Sequence, residues 1–332
     1  MSRQVRFARF SLAVLAVTMG VILWGAYVRA TGSGAGCGSH WPTCNGEVIP
    51  RAPSTETIIE FTHRATSGFA FLLVLIQFFA AFRVFPSGHP VRPAAAASLV
   101  LMVTEAIVGA GLVIFEMVAG NSSTARGFWM IAHLLNTFAL LYALVLTAWR
   151  ARPRETGPST SGASSAVPAS VGPEVPGAWL SVGLGAVLVV AASGAIAALG
   201  DTLFPAASLQ AGLAQDFSPG AHLFVRLRTI HPFLAVATAI YLLVLSGLVS
   251  SRDGSGRLRP LAAVVAGLVV LQMAVGLLNL VLLAPTALQI VHLLFADLLW
   301  MTLVVLAAAA RELRARTPSP LVAYARSAAA GS

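Results

Sequence analysis

Eight apolar runs, each long enough at about 20 residues to cross a bilayer as a helix, constrain the fold more than any other feature. The predicted spans are residues 10–29, 61–84, 94–116, 128–149, 178–199, 223–248, 260–283 and 287–309. Hydrophobic residues make up 57% of the 332 and charged residues 10%, which excludes a soluble globular protein. The sequence therefore predicts an all-α integral membrane protein with eight transmembrane helices.

The basic residues predict the orientation of the chain. All 21 are arginine, and fifteen of them lie on the inner side if the N-terminus is inside. Both termini of this multi-pass protein are therefore expected in the cytoplasm, beneath a bacterial plasma membrane. The net charge of +9 is interpreted as this topology bias, with no nucleic acid partner.

Two cysteines, Cys37 and Cys44, fall in the first outer loop, where oxidation is permitted. A short loop separates them, so a disulfide is an expectation. Its role stays open between a structural staple and a redox-active pair.

A segment rich in Pro, Ser, Gly and Ala predicts a duplicated organisation. Residues 150–177 have the composition of a flexible cytoplasmic connector between halves 1–149 and 178–310, with a cytoplasmic tail at 311–332. Helix 4 carries residues 131–135, Ile-Ala-His-Leu-Leu, and helix 8 carries 290–294, Ile-Val-His-Leu-Leu. Glu105 precedes Gly109 by four residues, as Gln272 precedes Gly276. Two pseudo-repeated four-helix bundles are therefore predicted.

Four histidines lie at matching places in the even-numbered spans. His63, His133, His231 and His292 are each one to two turns into an apolar segment, near the outer face if the spans alternate in direction. A buried imidazole without a partner is costly. Paired histidines on facing helices can ligate a haem from both sides, whereas nothing here supplies a tetrahedral zinc shell. We therefore predict one haem site in each half.

Charged residues near these histidines predict different roles for the two sites. Arg64, Arg126 and Arg228 lie on the outer side against the topology bias, and they could bind haem propionates or reach lipid phosphates. Glu60 precedes His63 by three residues, where the second half has Arg228. An acid at a helix start also stabilises the helix by its charge. The asymmetry favours catalysis in the first half and a resident cofactor in the second.

Other polar residues receive no role from the sequence. His40 and His222 are expected in solvated outer loops, although His40, between the two cysteines, could instead touch a substrate. Glu105 and Asp297 lie inside spans and should therefore face protein or water.

Two motifs in the first half carry a family resemblance. Residues 25–46, GAYVRATGSGAGCGSHWPTCNG, resemble the first outer loop of the bacterial haem A synthases that contain a cysteine pair. Residues 60–64, Glu-Phe-Thr-His-Arg, resemble the Glu-x-x-His-Arg motif of that family. The later histidines and the eight spans agree, so the resemblance covers nearly the whole chain outside the linker and the tails. Glu105 departs from the family pattern, where a glutamine is expected, and the linker is long.

The resemblance implies an oxidoreductase that converts a methyl group of haem O to the formyl group of haem A, for terminal oxidase biogenesis. Successive hydroxylations would be followed by loss of water. Glu60 would be the essential acid, and His63 and His133 would hold the substrate haem O. His231 and His292 would be the axial ligands of the iron of a haem b. A haem O synthase is the expected neighbour, a quinone is one candidate for the membrane electron acceptor, and a homo-oligomer is one candidate for the assembly.

Two other functions remain in competition. A non-catalytic bis-haem cytochrome that exchanges electrons with quinone would explain the four histidines but not the asymmetric Glu60. A haem transporter or chaperone would bind haem loosely and leave the macrocycle unchanged.

Overall fold

The computed structural model describes residues 1–153 and 176–316, and within these ranges all regular structure is helical. Most of the predicted linker and residues 317–332 of the predicted tail lie outside the described residues. The helices are α1 (Arg3–Ala30), α2 (Thr55–Val84), α3 (Val91–Ile114), α4 (Thr124–Arg150), α5 (Gly177–Leu203), α6 (Leu209–Asp216), α7 (Leu223–Arg228), α8 (Ile230–Arg252), α9 (Arg259–Val281) and α10 (Thr286–Arg316).

Eight stretches are long and apolar enough to cross a membrane, which confirms the predicted fold class. Six of them are single helices that match a predicted span, and α10 makes the eighth crossing and continues to Arg316, into the predicted tail. The sixth crossing combines α7 and α8, which meet at Thr229. The break has a local cause, because Pro232 has no N–H to donate to the carbonyl of Arg228.

The helices that carry the first two histidines begin earlier than their apolar runs. The Ser54 side chain accepts a hydrogen bond from the N–H of Thr57, so α2 begins at Thr55 and not near residue 61. Ser123 caps α4 in the same way. A serine cap satisfies an N–H that the first turn leaves unpaired, so each helix extends into the polar sequence before the apolar run.

The helices pack as two groups of four spans. α1, α2, α3 and α4 contact one another in turn, and α5, α8, α9 and α10 do the same. The groups meet through α1, α4, α5 and α10, and one apolar cluster, containing Phe138 and Leu303, includes residues of both. Polar side chains also bridge this interface. Trp300 donates from its indole to the Phe138 carbonyl (2.9 Å), Trp149 of α4 donates to Oε1 of Glu312 of α10 (3.0 Å), and Arg29 of α1 bonds to α5 and α10. The internal duplication itself stays a prediction.

Candidate functional site

The four histidines lie at similar depths from one end of the bundle. His63 is eight residues beyond the first residue of α2, His133 nine beyond that of α4, His231 eight beyond that of α7, and His292 six beyond that of α10. These offsets correspond to depths of about 9 to 14 Å. We call this end, where α1 ends and the loop of Cys37 and Cys44 lies, the cysteine end.

The histidines pair within each half. His63 is within electrostatic range of His133, and His292 is within electrostatic range of His231. The Nδ1 atoms of His63, His133 and His292 are buried and have no hydrogen-bond partner among the described residues. Each half therefore holds two imidazoles whose charges would interact, and in each half at least one of them has a buried Nδ1 without a hydrogen-bond partner among the described residues.

Each imidazole rests against a glycine of the preceding span. A Cβ placed on Gly25 would lie 2.8 Å from Cε1 of His63, and one on Gly194 would lie 3.0 Å from Cε1 of His231. Gly276 faces His292 at 3.0 Å in the same way, whereas Gly109 faces His133 at 3.8 Å, an ordinary van der Waals distance that leaves room for a Cβ. Since the first distance is too short for any side chain, the ring lies directly on the backbone of the neighbouring helix. We call these four glycines the cradle glycines.

In the first half, His133 has a carboxylate neighbour. Oε1 of Glu105 lies 3.4 Å from Nδ1 of His133, within ion-pair distance but not aligned as a hydrogen bond. Glu105 in turn accepts hydrogen bonds from the side chains of Asn136 and Thr137, both at 2.5 Å. The predicted span acid is therefore held by two side chains of α4, facing one of the predicted ligands.

In the second half, the neighbours of the histidines are neutral. Ser193 Oγ lies 3.0 Å from Nδ1 of His231, and Nε2 of Gln272 lies 3.3 Å from Nε2 of His292. Gln272 and Glu105 thus occupy corresponding positions, four residues before a cradle glycine. The two sites have a similar construction but differ in charge.

Glu60 is buried, with 3% of its surface exposed, and is fixed from two sides. Its Oε2 accepts the backbone N–H of Cys37 at 2.8 Å. Its Oε1 accepts both Nε (3.1 Å) and Nη2 (2.5 Å) of Arg64. The carboxylate therefore joins α2 to the cysteine loop.

The disulfide between Cys37 and Cys44 is present, as predicted. Nη1 of Arg64 donates to the carbonyls of His40 and Thr43, which lie between the two cysteines. Gly36 permits the contact of the loop with α2, because a Cβ there would overlap the backbone of Glu56. The ion pair of Glu60 and Arg64 thus holds the disulfide loop against α2.

The three arginines predicted to bind propionates differ in their partners. Arg64 is engaged with Glu60 and the loop, and Arg228 pairs with Asp201 (3.2 Å) and Asp216 (2.6 Å). Arg126 is buried on α4, and its Nη1 donates to the carbonyls of Ala119 and Asn121. Its Nε is buried without a hydrogen-bond partner in the described part of the chain. Arg126 is therefore the best placed of the three to receive an anion.

The unassigned residues take different places. His40 offers its carbonyl to Arg64, and the His222 side chain caps α7 by accepting the N–H of Phe224 at 3.2 Å. Asp297 is fully buried, and neither of its oxygens has a hydrogen-bond partner within residues 1–153 and 176–316.

Several residues that contact the histidines or their neighbouring side chains are not predicted from the sequence. Ser193 and Gly194 do not stand out in it, although two adjacent small residues in an apolar span are a signal of close helix contact. Gly25 enters only as part of a motif, and Asn136 and Thr137 are missed because their partner is on another helix.

The residues present fit haem. Each half holds two largely buried imidazoles on different helices, and three of the four have a buried Nδ1 that no described residue satisfies, so the rings are not fixed by protein partners alone. The cradle glycines bring the rings of His63, His231 and His292 directly against a backbone and so restrict their orientation. No group of three or more His, Cys, Asp or Glu that could hold a lone metal ion occurs in the described residues. A flat macrocycle between paired imidazoles suits this arrangement better than a zinc ion does.

Comparisons with known proteins identify relatives along the whole chain and along parts of it. A Protoheme IX farnesyltransferase of Thermus thermophilus is 49% identical over 307 residues, which are 92% of this chain and 49% of that protein. A Heme A synthase of Alkalihalophilus pseudofirmus is 41% identical over 95 residues, 29% of this chain and 32% of that protein. One of Bacillus mycoides is 43% identical over 95 residues, 29% of this chain and 30% of that protein. The chain thus spans about half the length of the Thermus protein and matches about a third of the synthases.

A family model described as Cytochrome oxidase assembly protein matches residues 8–304, from α1 into α10. That range includes all four histidines, Glu60 and both cysteines. The chain therefore belongs to the cytochrome oxidase assembly protein family, the family of the haem A synthases.

Proposed function

We propose that this chain is a haem A synthase, an oxidoreductase that converts a methyl group of haem O to the formyl group of haem A. The observation that carries the proposal is the buried carboxylate of Glu60, one turn before His63 on α2 in the half that holds His63 and His133, at a position where the second half has Arg228. A carrier of electrons alone would need this acid only to anchor the cysteine loop. Family membership and the Heme A synthase relatives support the same function.

The farnesyltransferase name belongs to proteins of which this chain matches about half, so it does not by itself assign a transferase activity to this chain. The matching part of the Thermus protein nevertheless lies within a protein that is named for the modification of haem. We propose that a haem O synthase supplies the substrate of this chain in the membrane.

In the first half, His63 and His133 would hold the substrate. Glu60 cannot swing freely, because Cys37 and Arg64 bond to both of its oxygens. A fixed carboxylate can stabilise positive charge that develops nearby or accept a proton there. Arg126, with its unpaired Nε, is the proposed propionate contact.

In the second half, His231 and His292 would hold a haem b, which would supply electron transfer when bound. These imidazoles are held by Ser193, Gln272 and the cradle glycines. No acid equivalent to Glu60 is present there, which suits a resident cofactor better than a reacting one. The electrons would pass to a membrane acceptor, for which quinone is the proposed class.

The test is chemical analysis of haem. Cells that co-express this chain with a haem O synthase are expected to contain haem A or its hydroxylated precursor, resolved by chromatography and mass analysis. Cells with the haem O synthase alone should contain only haem O and haem b.

Histidine variants provide the control. His63→Ala should abolish the product, whereas His89→Ala, at the other end of the bundle, should keep it. Unchanged haem O from well-folded protein would contradict the proposal and favour the cytochrome.

A further inference from the structure

The side chains next to the proposed haem ligands differ in charge, although the helices that carry these ligands are arranged alike in the two halves. Ser193 and Gln272 are neutral, but Glu105 beside His133 is an acid with 17% of its side chain exposed. An ionisable side chain in the apolar part of a membrane protein costs free energy, so the presence of Glu105 there requires an explanation.

Glu105 is built into its position. Asn136 donates its Nδ2 both to Oε2 of Glu105 and to the Leu101 carbonyl (2.9 Å), which ties α4 to α3 at this level. Thr137 donates to Oε1, the oxygen that faces His133. Oγ1 of Thr137 also lies 2.9 Å from the His133 carbonyl, so its single hydrogen is shared between the two acceptors. The carboxylate is therefore oriented toward the ring by the helix that carries the ring.

Nδ1 of His133 lies 3.4 Å from this oxygen and has no hydrogen-bond partner among the described residues. A small rotation of the imidazole would align its Nδ1–H with Oε1. Nδ1 would then carry the proton, and Nε2 would be the atom free to ligate iron.

We propose that Glu105 is a positioning residue for haem binding in the first half: it fixes the tautomer of His133 and makes this imidazole the strongest electron donor of the four. A carboxylate partner raises the basicity of a ligating histidine, and losing such a partner typically costs about 10- to 100-fold in metal affinity. The inference rests on the proposed function, because it requires that His133 binds haem iron.

A stronger donor beside a negative charge favours the ferric form of the iron. The first-half site is therefore expected to have the lower reduction potential of the two. For one electron, a tenfold change in the ratio of ferric to ferrous affinity corresponds to about 59 mV.

Reciprocal variants test the inference. Full-length wild type, Glu105→Gln and Gln272→Glu would each be purified in detergent, loaded with haemin and titrated by spectroelectrochemistry. Glu105→Gln should raise the potential of one haem and weaken haemin binding at that site at least tenfold. Gln272→Glu, which puts a carboxylate at the corresponding helix position but on the Nε2 side of His292, tests the effect of charge alone and should lower the potential of the other haem. Glu105→Asp, which keeps the charge, should restore part of the wild-type potential.

Two results would overturn the inference. One is a Glu105→Gln protein whose two potentials and haemin affinities match those of the wild type, which would make Glu105 a packing residue only. The other is that both variants shift the same haem. The failure of the proposed function is distinguishable, since wild type would then bind two haems normally and yet form no haem A in cells.

Discussion

At the scale of single residues, Glu60 has two duties. It is the proposed essential acid, and it also holds Arg64 and the Cys37 N–H. Glu60→Gln removes the charge but keeps the shape, so we expect product formation to fall by roughly 100-fold or more, the range of a lost acid–base group, with haem content unchanged. Haem extraction measures the product, and the absorbance of the purified protein measures the haem content.

A matched acid controls this experiment. Glu56 lies one turn earlier on α2 and is exposed. Glu56→Gln should leave product formation within twofold of the wild type. Equal losses in both variants would mean that the effect of Glu60→Gln is one of general helix stability.

Much of the candidate site can be predicted from the sequence, because a polar residue in an apolar span stands out. The four histidines, Glu60 and the cysteines are visible for that reason. Their partners are less visible: the carboxylate of Glu105 meets His133 only through the packing of α3 on α4. A glycine such as Gly194 is inconspicuous among 29 glycines until a ring is found against it.

At the scale of elements, the cradle glycines set how closely two helices approach. Gly25→Ala would place a methyl group 2.8 Å from Cε1 of His63, so α1 and α2 must separate or the ring must turn. We expect the variant to lose at least half of the first-half haem. Quantitation of haemin per protein measures this loss.

Glycines on the same helices that face open space provide the controls. Gly20→Ala on α1 meets nothing within 4 Å and should bind haemin normally. In the second half, Gly276→Ala and Gly267→Ala on α9 form the same comparison. If the cradle and open-space variants behave alike, the glycines act through helix propensity and not through contact with the rings.

The cysteine loop is a second element with a testable role. Replacing both cysteines by serine removes a cross-link worth about 2.5 kcal/mol by loop entropy. We expect trypsin to cleave after the exposed Arg51 at least tenfold faster in that variant, and also in wild type after chemical reduction. Cleavage after Arg257, in the turn between α8 and α9, should not change. An unchanged rate at Arg51 would show that Glu60 and Arg64 hold the loop without the disulfide.

The elements themselves are predictable to different degrees. The length of each apolar run identifies all eight crossings, because a helix needs about 20 apolar residues to cross the hydrocarbon core. It does not identify α6, Leu209–Asp216, which is short, part polar and outside any span. Nor does it place the helix starts, since the capping serines Ser54 and Ser123 lie outside the apolar runs.

At the scale of the whole molecule, Arg29 connects the two groups of helices. Its guanidinium donates to the Ala198 carbonyl (3.0 Å), Thr202 Oγ1 (2.9 Å) and Gln289 Oε1 (2.7 Å). Hydrogen bonds to a charged group are each worth about 1.5–3 kcal/mol, so Arg29→Met should lower the thermal midpoint by roughly 5–10 °C. Arg51→Met, at an exposed loop arginine, should not. Differential scanning calorimetry compares the two, and equal midpoints would contradict a role in joining the halves.

The orientation of the molecule is also testable. The arginine distribution predicts a cytoplasmic C-terminus and an outer cysteine end. Green fluorescent protein fused to the C-terminus should therefore fluoresce. Alkaline phosphatase fused after Arg51 should be active, and after Gly88 inactive. The reverse pattern would move the haem sites to the inner face.

The contacts of Arg29, Trp300 and the shared apolar cluster have a consequence for assembly. All of them join residues before position 154 to residues after position 175 without using the segment between. The two groups of helices therefore contact each other as the two subunits of a heterodimer would, although they belong to one polypeptide. Two pieces made from separate messages, divided within that segment, would keep every one of these contacts and are expected to copurify as a stoichiometric pair.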